Sequence, residues 1–163
     1  MFKFLFSLIV WFLTALAWLK VYDKAGEKGW KAFMPFYEEY VRFKMVGHSK
    51  MYTPYLFLSI ISGTVNLVYT ALLALEGVSS LLDSLAGGEF ALETDLTTLF
   101  WMNLVLLLGV YLIRVMILSQ LAQAFGKNRL FGIGLTLLPI IFVYILAFGS
   151  AKYHDDWKKL SEI

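Results

Sequence analysis

A run of 24 uncharged residues, Tyr52–Leu75, constrains this chain more than any other feature. A helix rises about 1.5 Å per residue, so a run of this length crosses a hydrocarbon core of about 30 Å with some tilt. In that core the backbone must satisfy its own hydrogen bonds, which leaves helices or closed barrels. Three further apolar runs of similar character follow the same logic, so the fold class expected is an all-α membrane protein. Composition agrees, with 60% hydrophobic and 16% charged residues against about 25% charged in soluble domains. With 163 residues the chain is read as a single membrane domain, 1–163, with no room for a soluble domain beside its spans. A net charge of +2 with no basic patch gives no argument for nucleic acid, and the absence of cysteine excludes disulfides and thiol chemistry.

Four transmembrane helices are expected, at about 4–20, 52–75, 96–125 and 130–151. The first apolar run, Phe4–Leu19, lies between Lys3 and Lys20, whose stems can snorkel to the interface. An alternative reading is a secretory signal with Ala15-Leu16-Ala17 as the cleavage site; an uncleaved first helix is the expectation adopted. The third begins at Leu96 and continues past Arg114 to Phe125, with Gly126 as its stop. The fourth, Leu130–Ala151, carries Pro139 near its middle, where proline removes a backbone hydrogen bond and kinks a helix.

Lysine and arginine bias sets orientation. The first connection carries Lys20, Lys24, Lys28, Lys31, Arg42, Lys44 and Lys50, and the third has Lys127 and Arg129. The second carries Glu76, Asp83, Glu89, Glu93 and Asp95 and no lysine or arginine. Segments 20–51 and 126–129 are therefore expected in the cytoplasm and the acidic loop 76–95 outside. Four full spans put the tail outside, which its Lys152, Lys158 and Lys159 oppose. If the Pro139 segment is re-entrant, the tail lies inside and the bias improves.

The segment between the first two spans is the least generic. Gly26 and Gly29 open a tight polar turn before Trp30, and Pro35 suits the first position of a new helix. From about 35 to 46, Tyr37, Tyr40, Val41 and Met45 recur on one face, with Glu38, Glu39 and Arg42 on the other. The plain expectation is an amphipathic helix lying in the interface. The sharper one is a helix that dips inward so that Glu38 or Glu39 faces a polar cavity, where ionisable groups mark function. Arg114 either snorkels to lipid phosphate or pairs with Glu38 or Glu39. Glu38, Glu39, Arg42 and Arg114 form the candidate functional polar cluster. A faint internal echo accompanies it: a glycine turn (Gly26; Gly126), then a proline (Pro35; Pro139), then a tyrosine five residues on (Tyr40; Tyr144).

Other chemistry is sparse. His154-Asp155-Asp156 are adjacent and do not converge as a metal site requires, and His48 reads as a loop histidine. Nucleophile-elbow, zinc-protease and phosphate-loop motifs are absent from the sequence. Gly132-x-Gly134 reads as close helix packing, and Asn66, Asn103, Gln120 and Gln123 as interhelical hydrogen bonds.

Lys24-Ala25-Gly26, followed by Gly29-Trp30-Lys31-Ala32-Phe33-Met34-Pro35-Phe36-Tyr37, resembles the first motif of DUF5684, a family of small bacterial membrane proteins of unknown function. Ala124-Phe125-Gly126-Lys127, Gly132–Pro139, Phe148-Gly149 and Tyr153 resemble its second half. A similar module precedes the catalytic domain of some bacterial signal peptidases. This chain has Glu38 where the family usually has asparagine, and 76–95 looks like an insertion. The resemblance implies Gly26, Gly29, Trp30, Pro35, Tyr37 and Pro139 as motif positions and the bacterial inner membrane as location. The functional expectation is a non-enzymatic accessory or assembly protein without cofactor or metal, because ionisable groups are expected at interfaces. Its partners would be the lipid bilayer and another membrane protein or a second copy of itself. The alternative is a small oligomeric transporter or channel, which requires Glu38, Glu39 or Arg114 to line a water-accessible path.

Overall fold

The computed structural model describes residues 2–34, 36–86 and 96–154. Pro35, the acids Glu89, Glu93 and Asp95, and the tail residues Asp155, Asp156, Lys158 and Lys159 lie outside the described residues.

The described elements are helical: α1 (Phe2–Lys24), a 3-10 helix (Gly29–Phe33), α2 (Tyr37–Met45), a 3-10 turn (Ser49–Met51), α3 (Tyr52–Ala86), α4 (Leu96–Ala124), α5 (Arg129–Leu137) and α6 (Pro139–Phe148). Three stretches are long and apolar enough to cross a membrane, Phe4–Lys24, Ser49–Leu81 and Leu96–Ala124. The chain is an all-α, multi-pass membrane protein. Two compact units are present, one drawing on Met1–Thr53 and Ile113–Ile163, the other on Pro54–Leu112.

In the Pro54–Leu112 unit, the rings of Tyr69 and Phe100 stand 6.2 Å apart. One turn away Asn66 Nδ2 donates to Asn103 Oδ1 at 3.5 Å. Ser62 and Asn103 are buried, whereas Phe57, Ile60, Ile61, Leu67 and Val105 are exposed.

The other unit is shaped by helix endings. α1, α2 and α4 each stop at a glycine in the left-handed region: Gly26 at φ 71°, Gly47 at 75° and Gly126 at 70°. Each ending is closed by an amide reaching back five residues: Glu27 N to Tyr22 O at 2.9 Å, His48 N to Phe43 O at 2.9 Å and Lys127 N to Ala122 O at 2.8 Å. Glycine takes this conformation without a Cβ penalty, so the chain reverses sharply at each one.

Both reversals that follow a long helix run back along it. After α1, Gly29 packs so tightly on Leu19 and Asp23 that a Cβ would stand 2.8 Å from Leu19 Cγ. Phe33 then reaches the rings of Trp11 and Phe12, at 6.4 and 6.1 Å. α2 brings the chain back, its Met45 carbonyl accepting from the Tyr153 hydroxyl. After α4, Gly132 of α5 lies against Ser119, and α5 runs antiparallel to α4. The helix breaks at Leu138 (φ −129°, ψ 62°), and Pro139 starts α6. The rings of Phe131 and Phe142 then meet at 5.0 Å, although eleven residues of straight helix would separate them by about 16 Å. The His154 amide returns to the Ala124 carbonyl at 2.8 Å. The chain therefore leaves this segment at the end where it entered.

This corrects the expectation of one kinked helix over 130–151. Pro139 breaks the run into helices of 9 and 10 residues, each about 15 Å long and too short to span. Two other expectations are extended. α1 continues past Lys20 to Lys24 because Val21 and Tyr22 are fully buried. α3 continues past Leu75 to Ala86, so the first part of the acidic segment is helix. α4 and its stop at Gly126 are as expected.

A Cβ on Gly132 would overlap the Ser119 backbone, approaching its N at 2.6 Å, whereas one on Gly63 of α3 meets nothing within 4 Å. Gly132→Ala is expected to lower the melting temperature in detergent, with a loss of about 3 kcal/mol. Gly63→Ala should be neutral or stabilising by about 0.5–1 kcal/mol. Equal melting temperatures for the two variants would contradict the close α4–α5 crossing.

Candidate functional site

The two folded-back segments bring their turning points together. Glu39 reaches Arg114 with an Nη2–Oε1 distance of 3.4 Å. Arg114 lies ten residues before the end of α4, about 15 Å inward along the helix. Glu38, Arg42 and Arg114 then line a cavity of about 150 Å³ together with Trp11, Thr14, Ala15, Trp18 and Pro139. Pro139, at the turn between α5 and α6, thus faces the first turn of α2.

Arg42 is the centre of the cluster, with only 2% of its surface exposed. Its Nη2 pairs with Glu38 Oε1 one helical turn away, and its Nη1 donates to Glu39 Oε1 at 2.8 Å. The guanidinium lies over the Trp18 ring, 4.1 Å from its centroid. The Tyr22 hydroxyl donates to the Glu38 carbonyl at 2.9 Å, fixing the start of α2 against α1. Desolvation alone would lower the Arg42 pKa, but the carboxylates, Glu39 first and then Glu38, outweigh it and hold the value above that of an ordinary guanidinium. Arg42 therefore stays charged inside the unit. The Nε of Arg42 is buried without a hydrogen-bond partner.

A second cluster sits nearer the helix ends. Glu27 accepts from Lys31 at 2.7 Å and from Lys44 at 2.8 Å, tying the 3-10 helix to α2. Burial would raise the Glu27 carboxyl, yet these two hydrogen bonds outweigh it and hold it below its ordinary value of 4.5. The link is thus present above that value and is lost as pH falls through the lowered one. Lys24 donates to the carbonyls of Leu146 at 3.0 Å and Gly149 at 2.7 Å, capping the end of α6, and Lys20 lies over the Phe148 ring at 4.1 Å.

The structure joins all four residues of the sequence-derived cluster, Glu38, Glu39, Arg42 and Arg114. It changes the exposure expected of Arg42, not its face. Expected on the solvated side of an interfacial helix, Arg42 keeps the side it shares with Glu38 and Glu39, but that side is buried against Trp18 of α1. Two carboxylates and a tryptophan ring compensate the desolvation there. Of the two readings of Arg114, pairing with Glu39 is what the geometry has. Among the motif positions, Gly26 and Gly29 form the first reversal, Trp30 and Tyr37 are exposed, and Pro139 lines the cavity. Pro35 falls outside the described residues. Gln120 and Gln123 instead line a separate groove between α4 and the start of α5. Sequence reasoning missed the α1 contribution of Trp11, Thr14, Trp18 and Tyr22. Their spacing of three or four residues was a signal, because it places one aromatic and hydroxyl stripe on one face.

Residues 94–156 match the model of a family described as being of unknown function, DUF5684. That segment belongs to DUF5684. The match takes in α4, α5 and α6, and with them Arg114 and Pro139, whereas the first motif, α1 and α2 lie before it. No curated protein and no solved structure matches the chain. The DUF5684 segment thus supplies one wall of the cavity, and the residues ahead of it supply Glu38, Arg42 and Trp18.

Arg42→Gln leaves two carboxylates facing each other without their shared cation, and is expected to cost about 3–5 kcal/mol. Arg114→Gln removes one long, half-exposed pair and should cost less than about 1 kcal/mol. Chemical unfolding in detergent, with Arg42→Met/Glu38→Gln/Glu39→Gln as the neutralised control, measures both. Comparable losses for Arg42→Gln and Arg114→Gln would show that Arg42 is not the cluster's centre.

Proposed function

We propose that this protein is a small membrane carrier or channel for a polar solute. The observation that carries the reading is the meeting of two folded-back segments at a charged cavity. Broken helices that present their turning points to a polar site are a recurrent solution for solute binding within a bilayer. The expectation of an accessory protein rested on charges confined to the interfaces. Arg114 lies about 15 Å inward from the end of α4, and Glu38 and Arg42 line the same cavity, which supports a carrier reading.

The topology that fits this reading has three spans, α1, α3 and α4, with the α5–α6 hairpin re-entrant. Lys20, Lys24, Lys44 and Lys127 lie near the end where the hairpin enters and leaves, which supports a cytoplasmic face there. Segments 20–51 and 126–129 and the tail are then cytoplasmic, and 76–95 outside, in the inner membrane of a bacterium. The four-span alternative puts the tail outside. With cysteine absent from the chain, single cysteines introduced at Ser84 and Ser161 report the two sides. Ser84→Cys is expected to label from outside and Ser161→Cys only after permeabilisation. External labelling of Ser161→Cys would restore four spans.

A second reading, a non-enzymatic accessory or assembly subunit, draws on a different observation. The span within Ser49–Leu81 has only 6% of its residues buried, leaving Phe57, Ile60, Ile61 and Leu67 exposed to lipid or to another membrane protein. Purification in mild detergent at natural abundance, followed by mass spectrometry and reconstitution, separates the two. The carrier reading expects the chain alone or as a homo-oligomer, with solute flux in proteoliposomes reduced at least tenfold by Arg114→Gln. A stoichiometric second protein and no flux from the isolated chain would favour the accessory role.

A further inference from the structure

The cavity between the two turning points has a specific charge pattern. Its wall shows one carboxylate, Glu38, and two guanidinium groups, Arg42 and Arg114. Glu39 stands beside them, its Oε1 shared between Arg42 at 2.8 Å and Arg114 at 3.4 Å. The two cations and two anions sum to zero. A lone anion entering this low-dielectric site would leave it with unbalanced negative charge, and a lone cation with positive charge, each at a large desolvation penalty. A ligand carrying both signs leaves the sum unchanged.

The donors and acceptors agree. Arg42 Nε is buried without a partner although its residue is 98% enclosed (2% exposed). A buried guanidinium N–H demands an acceptor oxygen. Arg114 has about half its side chain exposed (46%) and a single ion pair. Glu38 pairs with Arg42 through Oε1, and its remaining lone pairs suit an ammonium donor. The Thr14 hydroxyl, donating to Val10 O at 2.8 Å, presents its own acceptor to the same cavity. A volume of about 150 Å³ has room for about five waters, the scale of a compact organic ion.

We propose that this cavity binds a small zwitterion, with its anionic oxygens on Arg42 Nε and Arg114 and its ammonium on Glu38. The inference rests on the carrier reading for its location and adds the ligand's chemical class. Two sources share that chemistry: a soluble amino acid-like solute, and the phosphoethanolamine headgroup of a lipid entering beside the exposed Trp11 and Pro139.

The test uses the purified full-length chain. Thermal shifts in detergent are recorded with glycine, β-alanine and glycerophosphoethanolamine, and with the half-ligands acetate, inorganic phosphate and ethylammonium at equal concentration. Lipid nanodiscs of phosphatidylethanolamine, phosphatidylglycerol or phosphatidylcholine form a second arm. The expected result is a rise of several degrees with at least one zwitterion and none with half-ligands. Arg114→Gln should weaken the apparent affinity at least tenfold, and the plugging variant Thr14→Leu should abolish the response while folding normally. A response to soluble zwitterions places the solute as the source; one confined to phosphatidylethanolamine discs places the headgroup. Equal responses to half-ligands and zwitterions, or an unchanged response in Thr14→Leu, would overturn the proposal. Flux of a simple inorganic ion that needs Arg114, without zwitterion binding, would overturn the ligand class and leave the carrier reading standing. Loss of both flux and binding would remove both.

Discussion

Everything near the centre of the Arg42 unit depends on keeping one guanidinium charged and nearly free of solvent. Burying such a group is costly unless its charge and most of its N–H groups are met. Glu38 and Glu39 lie on the same short helix, one turn before Arg42, and supply two oxygens at the required spacing. Trp18 supplies the face of its ring. The arrangement ties α2 to α1 through Trp18 and Tyr22, and to α4 through Glu39 and Arg114. The same interaction that fixes α2 therefore also fixes the cavity wall. A buried ion pair is a weak source of net stability; its effect here is on the position of α2, because no other charge among the cavity-lining residues could compensate Arg42 if the helix rotated.

The two folded-back segments share a plan. Each follows a long apolar helix that ends at a left-handed glycine, Gly26 or Gly126, and each returns along that helix through a close approach that only glycine permits, Gly29 on Leu19 and Gly132 on Ser119. In each, a helix then brings the chain back, α2 with Tyr40 and α6 with Tyr144. The glycine, proline and tyrosine echo in the sequence follows this plan, with Pro35 itself outside the described residues. The segments differ in their inward leg: a five-residue 3-10 helix in the first and nine residues of α-helix in the second. That difference matches the longer glycine-to-proline spacing of the second.

Long elements were legible in the sequence because length and hydropathy suffice for a membrane span. α4 was read to within one residue of its end, since Gly126 has both the position and the chemistry of a stop. The second half of the fold was not, because an apolar run reads the same whether it crosses or turns back. Pro139 signals a break, but the fold-back also brings Phe142 onto Gly134, where a Cβ would stand 2.5 Å from its ring. That contact joins residues a straight helix would separate, so no local pattern reveals it. The four cluster residues do meet in the structure, yet Arg42 is buried where a solvated side was expected. Helical periodicity assigns a charge to the solvated side by default. Only the tertiary partners, Trp18 above all, bury that side.

Short, broken helices within a membrane protein leave carbonyls that no intrahelical amide can reach, and lipid offers no donor. At Met45 O, the last carbonyl of α2, the Tyr153 hydroxyl meets that need, and other tyrosine hydroxyls add a second donor to carbonyls such as Phe36 O that an amide already reaches. Tyr22 donates to Glu38 O, Tyr52 to Phe36 O, Tyr144 to Leu13 O and Tyr153 to Met45 O. Lys24 adds its two bonds to Leu146 O and Gly149 O. Tyrosine suits this task because its ring packs as an apolar group while its hydroxyl reaches a carbonyl beyond. Three of the four bonds involve α2 or the chain immediately flanking it, and the fourth joins α6 to α1. The nine tyrosines of the chain are thus more than interfacial anchors. At these positions they tie α2 to α1 and to the chain after α6, and α6 to α1.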